Sequence, residues 1–195
     1  MSLRIARVRR QLADLEADAL LLTSMPNVRW ACGFTGSNGL LLVGPEAAHF
    51  VTDGRYTDQA RSEVEGADVH IADEGLSTLL DEEQLLSPYS AVAFQSDVVS
   101  VARRDEWVET HASVSWVPVP GVLAQDVAAK DEEEVDQIRA AQSITEDVFS
   151  QIIDYVEPGK TEREVAAEIV YGHLRRGADS MSFDPVVASG PNAAR

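Results

Sequence analysis

Short apolar runs alternate with amphipathic segments over the first 117 residues, and this alternation limits the fold more than any other feature of the chain. The amphipathic segments have the length of helices, and the apolar runs have the length of strands. Alternation of this kind is typical of an α/β domain, in which helices flank a parallel or mixed sheet. The predicted strands are residues 19–23, 40–43, 49–52, 68–72, 91–95 and 113–117. The predicted helices are residues 3–17, 56–65, 76–86 and 101–110.

Turn-forming residues separate several of these segments. Residues 44–47, Gly-Pro-Glu-Ala, lie between two predicted strands and favour a β-hairpin. Residues 25–27, Met-Pro-Asn, are predicted as a turn because proline follows directly on an apolar strand.

The pattern changes after residues 118–121, Pro-Val-Pro-Gly. Asp131 with Glu134, and Thr161 with Glu164, have the spacing of capping boxes and predict two helices. Gly177 fits the end of the second helix, and residues 185–188 are predicted as a strand. Two helices and one strand cannot enclose a core. We therefore expect one N-terminal domain and the opening of a second domain whose remainder lies outside this sequence.

Acidic residues dominate the charge, with 33 Asp and Glu against 16 Lys and Arg and a net charge of -17. Such a surface repels phosphate backbones, which excludes a general nucleic-acid binder. Only two of the cations are lysines, Lys130 and Lys160. This bias favours adaptation to a high-salt cytoplasm, and the alternative is an ordinary acidic protein.

A single cysteine, Cys32, allows no disulfide within the chain and favours a reducing compartment. No run approaches the 18 to 20 apolar residues that a membrane span requires, so no membrane partner is expected. The protein is accordingly predicted to be cytoplasmic.

The residues that carry catalytic chemistry elsewhere form no recognisable site here. The glycines at 33, 36 and 39 precede a predicted strand instead of opening a helix, so turn geometry explains them better than a dinucleotide site. Ser37 lacks the Gly-x-Ser-x-Gly elbow of a nucleophile. The four histidines are scattered and are predicted to be surface residues without a metal. They are His49, His70, His111 and His173.

Four segments, in order along the whole chain, carry a resemblance to a known family. They are residues 33–38 (Gly-Phe-Thr-Gly-Ser-Asn), 52–56 (Thr-Asp-Gly-Arg-Tyr), 129–141 (beginning Ala-Lys-Asp-Glu-Glu-Glu-Val) and 182–192 (Ser-Phe-Asp-Pro-Val-Val-Ala-Ser-Gly-Pro-Asn). Together they resemble the Xaa-Pro aminopeptidase and prolidase group of pita-bread metallopeptidases. The resemblance implies an α/β, creatinase/prolidase-type N-terminal domain at residues 1–125, with a mixed sheet flanked by helices. Residues 126–195 would then be a linker and the N-terminal part of an incomplete α+β pita-bread catalytic domain.

The resemblance also implies the chemistry of an intact protein. In this family two divalent metal ions, manganese or cobalt, assist hydrolysis of Xaa-Pro bonds in short peptides. The family's ligands are two Asp, one His and two Glu, all downstream of the Ser-Gly-x-Asn segment at 189–192. No metal ligand and no catalytic residue can therefore be assigned here, and the chain alone is expected to bind no metal and to be inactive.

Six residues are the candidates for binding that the resemblance implies. Phe183, Ser189 and Asn192 would lie near the rim of the substrate cleft, and the alternative for Phe183 is a core position under the second helix. Trp30, Arg55 and Tyr56 would lie at an interface of a homodimer or at the cleft rim, and the alternative is packing around the hairpin.

Two other functions stay open at this point. A creatinase-like hydrolase shares the architecture and works without metal. A non-catalytic pseudo-peptidase on the same scaffold would bind peptides or partner proteins instead.

Overall fold

The structure, a computed structural model, describes residues 3–194 and divides the chain into two compact units. Unit 1 is Met1–Ala129, and unit 2 is Lys130–Arg195. None of the helices described is long and apolar enough to cross a membrane.

A mixed six-stranded sheet forms the centre of unit 1, as predicted. Its strands are β1 (Ala19–Leu22), β2 (Leu40–Val43), β3 (Ala48–Asp53), β4 (Asp68–Ala72), β5 (Ala91–Gln95) and β6 (Ser115–Val119). Their order across the sheet is β4-β3-β2-β1-β5-β6. β2 is antiparallel to both β1 and β3, which confirms the predicted hairpin, while the pairs β3/β4, β1/β5 and β5/β6 are parallel.

Helices cover both faces of this sheet. They are α1 (Leu3–Gln11), α2 (Met25–Cys32), α3 (Thr57–Glu63), α4 (Leu76–Glu82), α5 (Val101–Thr110) and α6 (Ala124–Ala128). Successive side chains of a strand point to opposite faces, so β1 supplies both cores. Leu20 and Leu22 pack in one cluster with residues of α1 and α2, whereas Leu21 packs in the other with residues of α4 and α5. A strand buried on both faces reads as a continuous apolar run, which is why β1 was predictable.

Two local expectations for unit 1 were wrong, and one helix was missed. Residues 25–27 are not a turn but the start of α2, because Pro26 occupies the first turn, where its missing N–H costs no hydrogen bond. The last strand runs two residues further than predicted and includes Pro118. Proline is tolerated there because β6 is an edge strand. The short helix α6 was not predicted.

Unit 2 contains two long helices, α7 (Glu132–Tyr155) and α8 (Glu162–Arg175). Both predicted capping boxes are formed: Asp131 and Thr161 each accept a hydrogen bond from the backbone N–H three residues on. Gly177, with φ at 93°, follows the end of α8, as expected for a glycine in the left-handed region. The predicted strand at 185–188 is wrong, since these residues have no strand to pair with among the described residues of the unit.

The two helices bury very little apolar surface. Among the described residues of unit 2, Val148 and Val165 are the hydrophobic side chains that are buried. Many more apolar side chains are exposed on α7, on α8 and in the segments after them: Ile138, Phe149, Ile153, Val156, Tyr171, Leu174, Phe183 and Val186. Unit 2 therefore lacks a hydrophobic core of its own, whereas unit 1 has two clusters of fully buried side chains.

Candidate functional site

Two of the recognised segments meet in a loop cluster of unit 1, formed by residues 33–38 and 53–56. The first loop joins α2 to β2, and the second joins β3 to α3. Asp53 links them: its carboxylate accepts hydrogen bonds from Nδ2 of Asn38 at 2.6 Å and from Nε and Nη2 of Arg55 at 2.8 and 3.0 Å. The hairpin β2/β3 brings the two loops to the same edge of the sheet, so segments that are separate in sequence form one structure.

Aromatic side chains pack together within and beside the loop cluster. Phe34 is fully buried. The centre of its ring lies 4.6 Å from the ring centre of Phe50 and 5.5 Å from that of Tyr56. The hydroxyl groups of Ser37 and Tyr56 are hydrogen bonded at 2.7 Å. A side chain at Gly36 would collide with the rings of Phe34 and Tyr56, which explains the glycine between them.

Glu63 of α3 holds the start of the first loop. Its carboxylate accepts hydrogen bonds from the backbone N–H of Thr35 at 2.7 Å and from the Thr35 hydroxyl at 2.8 Å. Gln59 Nε2 donates to the same carboxylate and to the Thr35 hydroxyl. Sequence reasoning did not identify either residue, and their four-residue spacing on one helix face was the only available signal.

Electrostatic interactions in the loop cluster favour the charged form of Asp53, which is paired with Arg55. Hydrogen bonds from Arg55 and then Asn38 hold the pKa of the Asp53 carboxyl well below its usual range. The hydrogen bond between the Ser37 and Tyr56 hydroxyls lowers the pKa of Tyr56. Ser37 is bonded to a tyrosine and not to a histidine, so the cluster lacks the nucleophile and base of a hydrolase triad. The loop cluster therefore holds the two segments in place.

The three predicted interface residues differ in exposure. Trp30 is 6% exposed and packs in the core of unit 1. The Arg55 side chain is 69% exposed, and its guanidinium lies 5.3 Å from the centre of the Tyr56 ring. Arg55 and Tyr56 are thus together on the surface of unit 1, and Trp30 is not accessible in the same way.

The predicted cleft residues of unit 2 also fall into two groups. Phe183 is 77% exposed and lines a cavity of about 620 Å³ formed by α7, α8 and the segment after α8. Ile144, His173 and Val186 line the same cavity, which is mainly apolar.

Ser189 and Asn192 are bonded to Glu162, the first residue of α8. The backbone N–H of Ser189 and Nδ2 of Asn192 donate to the Glu162 carboxylate at 2.7 and 2.9 Å. These bonds, first the one from the Ser189 N–H, lower the pKa of Glu162. Neither residue lines the cavity beside Phe183, so the structure does not bring the three predicted residues together.

The expectation that every histidine is an isolated surface residue was wrong. His111 is 3% exposed at the end of α5, and its Nδ1 lies 2.8 Å from Oδ1 of Asp81. His49 and His70 are in contact on adjacent strands, with 3.1 Å between ring nitrogens. Sequence spacing gave no signal for this contact, because it depends on how β3 pairs with β4.

Comparison with known families agrees with this geometry. Residues 4–126 match the creatinase/prolidase N-terminal domain, and residues 136–195 match metallopeptidase family M24. The chain belongs to the creatinase/prolidase N-terminal domain family. The mixed sheet of this N-terminal domain and the loop cluster at its edge fall within the first match, and α7 and α8 fall almost wholly within the second.

Similar proteins include Xaa-Pro peptidases. An uncharacterized peptidase of Bacillus subtilis is 31% identical over 96% of this chain and 53% of its own length. The Xaa-Pro dipeptidase of Pyrococcus horikoshii is 28% identical over 91% of this chain and 49% of its own. In structure, the X-Pro aminopeptidase of Thermotoga maritima superposes with a TM-score of 0.81 at 25% identity, covering 90% of this chain and 51% of that one. The creatinase/prolidase N-terminal domain and the helices after it thus span about half the length of these relatives.

Proposed function

We propose that this chain is the N-terminal portion of a proline-specific metallopeptidase that hydrolyses Xaa-Pro bonds in short peptides. The observation that carries the proposal is the order of the two family matches, a creatinase/prolidase N-terminal domain followed directly by the start of an M24 domain. Relatives that align with at least 90% of this chain are named Xaa-Pro dipeptidase and X-Pro aminopeptidase. In this proposal residues 1–125 are the N-terminal domain and residues 126–195 open the catalytic domain.

The divalent metal ions that the M24 family uses do not fit the residues at hand. Within residues 3–194 no group of three or more His, Cys, Asp or Glu side chains is positioned to hold a metal ion. The catalytic metals, which we propose to be manganese or cobalt, would be bound by residues outside this chain. The chain alone is therefore proposed to be inactive.

Two surfaces of the chain are proposed to contribute to the complete enzyme. The exposed ring of Phe183 beside the apolar cavity would contact substrate near the cleft rim. Ser189 and Asn192, which bond to Glu162, would contribute to the rim at a separate position. Arg55 and Tyr56 would lie at the interface of a homodimer, since they are adjacent and Arg55 is exposed. Trp30, which is buried in the core of the same unit, would stabilise the structure that presents this surface.

The experiment compares the product of the complete gene with the 195-residue chain, each with Mn²⁺ and with a chelator. The substrates are a short Xaa-Pro peptide and the matched Xaa-Ala peptide. We expect metal-dependent cleavage of the Xaa-Pro peptide by the complete protein and none by the 195-residue chain. Cleavage that survives the chelator would support a creatinase-like hydrolase instead. Peptide binding without any cleavage would support a pseudo-peptidase.

We also propose that the protein is located in a cytoplasm with a high salt concentration. Its support is the net charge of -17 and the presence of only two lysines among 16 basic residues. Salt screens repulsion between carboxylates, so thermal stability should rise with potassium chloride concentration. A melting temperature that is indifferent to potassium chloride would contradict this part alone.

A further inference from the structure

Two histidines that are 21 residues apart in sequence meet on one face of the unit 1 sheet. β3 and β4 are parallel, with Asp68 opposite His49 and His70 opposite Val51. Residues two apart on a strand share a face, so His49 and His70 are diagonal neighbours. Nδ1 of His49 lies 3.1 Å from Nε2 of His70, and the ring centres are 5.2 Å apart.

Glu83, the residue directly after α4, determines which nitrogen of His70 carries the proton. Its carboxylate is hydrogen bonded to Nδ1 of His70. A carboxylate only accepts, so Nδ1 of His70 donates to Glu83, and in this tautomer Nε2 of His70 directs its lone pair at His49. His49 in turn donates its Nδ1–H to that lone pair.

This arrangement is the one found around metal-bound histidine. A histidine that binds a metal usually donates its other ring N–H to a carboxylate, as His70 does to Glu83. Two imidazole nitrogens bound to one tetrahedral Zn²⁺, each at roughly 2.0–2.1 Å, lie about 3.3 Å apart. The observed separation is 3.1 Å, so modest rotations of the two rings direct both lone pairs at one ion.

The charged groups around His49 and His70 favour binding of a cation. Burial first, and then the neighbouring His70, lower the pKa of His49, while Asp68 and Glu83 oppose this shift. The same two carboxylates, within an acidic protein, raise the local concentration of cations.

We propose that His49 and His70 form a binding site for a divalent transition-metal ion such as Zn²⁺, with Glu83 as the positioning carboxylate. Within residues 3–194 no third ligand side chain completes such a group, so water fills the remaining positions of the ion. Binding transfers the proton of His49 from Nδ1 to Nε2 through solvent, and both rings remain neutral. The site lies in unit 1 and does not depend on the proposed peptidase activity.

Calorimetric titration of the untagged 195-residue chain with Zn²⁺ at pH 7.5 tests the site. His49→Gln and His70→Gln should each weaken binding by at least about tenfold, and Glu83→Gln by about tenfold through its effect on His70. His173→Gln is the matched control, since this histidine lies in unit 2, bonded to the Ile169 carbonyl at 2.8 Å. Urea unfolding of each variant verifies that the fold is intact.

Nitrogen-15 NMR of the imidazoles gives a readout that a purely structural role would not change. Zn²⁺ should move the His49 ring from the Nδ1–H to the Nε2–H form in the wild type and leave His173 unaffected. Absence of Zn²⁺ binding by the wild type would overturn the proposal. Equal binding by wild type and both histidine variants would also overturn it, because the ion would then be held by carboxylates elsewhere.

Discussion

Replacement of Gly33 by alanine should destabilise unit 1 and leave unit 2 unaffected. Gly33 ends α2 with φ at 86°, and an added Cβ would lie 2.9 Å from the backbone carbonyl oxygen of Glu63. The left-handed conformation costs an L-residue about 1–2 kcal/mol. Relieving a contact with a rigid backbone atom adds about 1–3 kcal/mol. We therefore expect Gly33→Ala to lower the free energy of unfolding by about 2–5 kcal/mol.

The matched control lies in the same loop cluster. Gly54 has no positive φ, and an added Cβ would meet nothing within 4 Å. Gly54→Ala should therefore be neutral or stabilising by up to about 1 kcal/mol, through the entropy of the unfolded chain.

Urea unfolding followed by tryptophan fluorescence measures this effect in unit 1 alone. The three tryptophans of the chain, Trp30, Trp107 and Trp116, all lie in that unit. The transition midpoint should fall for Gly33→Ala without a change in slope. Equal midpoints for the two glycine variants would refute the reasoning about the left-handed position and its contact with Glu63.

Three further predictions concern single side chains. The pKa of Asp53 is lower in the folded state than the unfolded value of 3.8, so the stabilisation from its charged form is complete above about pH 4 and is lost as the pH falls further. Asp53→Asn should therefore make the stability of unit 1 less dependent on pH in that range, measured by acid unfolding with fluorescence detection. Gln84 is the non-glycine residue with positive φ among the described residues, at 53°, so its backbone is strained. Gln84→Gly should therefore raise the free energy of unfolding of unit 1 by up to about 1 kcal/mol, measured in urea. A lower free energy of unfolding for this variant would contradict the inferred strain. Burial raises the pKa of the Cys32 thiol to about 11, so a thiol reagent at pH 8 should react only after denaturant is added, and rapid reaction of the native chain would count against burial.

Local chemistry made much of the fold predictable. The strand of residues 91–95 and the helix of residues 101–110 have the predicted bounds, because apolar runs and amphipathic periodicity are properties of consecutive residues. Both capping boxes were predictable for the same reason, since Asp131 and Thr161 each bond to a residue three positions away.

Long-range pairing was not predictable. The contact between His49 and His70 requires the parallel register of β3 and β4, and the loop cluster requires Asp53 to face Asn38 across the hairpin. No local pattern specifies either arrangement. The strand predicted at 185–188 fails for a related reason, since a strand forms only when another strand pairs with it.

The candidate cleft residues show the limit of a family resemblance. Phe183, Ser189 and Asn192 come from one continuous segment, yet Phe183 borders the apolar cavity while Ser189 and Asn192 bond to Glu162. The exposed apolar side chains of α7 and α8 are explained if the rest of a catalytic domain covers them in the complete protein.

Native-state hydrogen exchange of the 195-residue chain tests the central claim most directly, namely that it contains one self-sufficient domain and part of another. The amides of β1, β2 and β5 lie between two hydrophobic clusters and should exchange only through global unfolding. α7 and α8 bury few side chains, and helices without tertiary packing are marginal in water, so their amides should exchange much earlier. Protection of α7 and α8 equal to that of the central strands would contradict the claim.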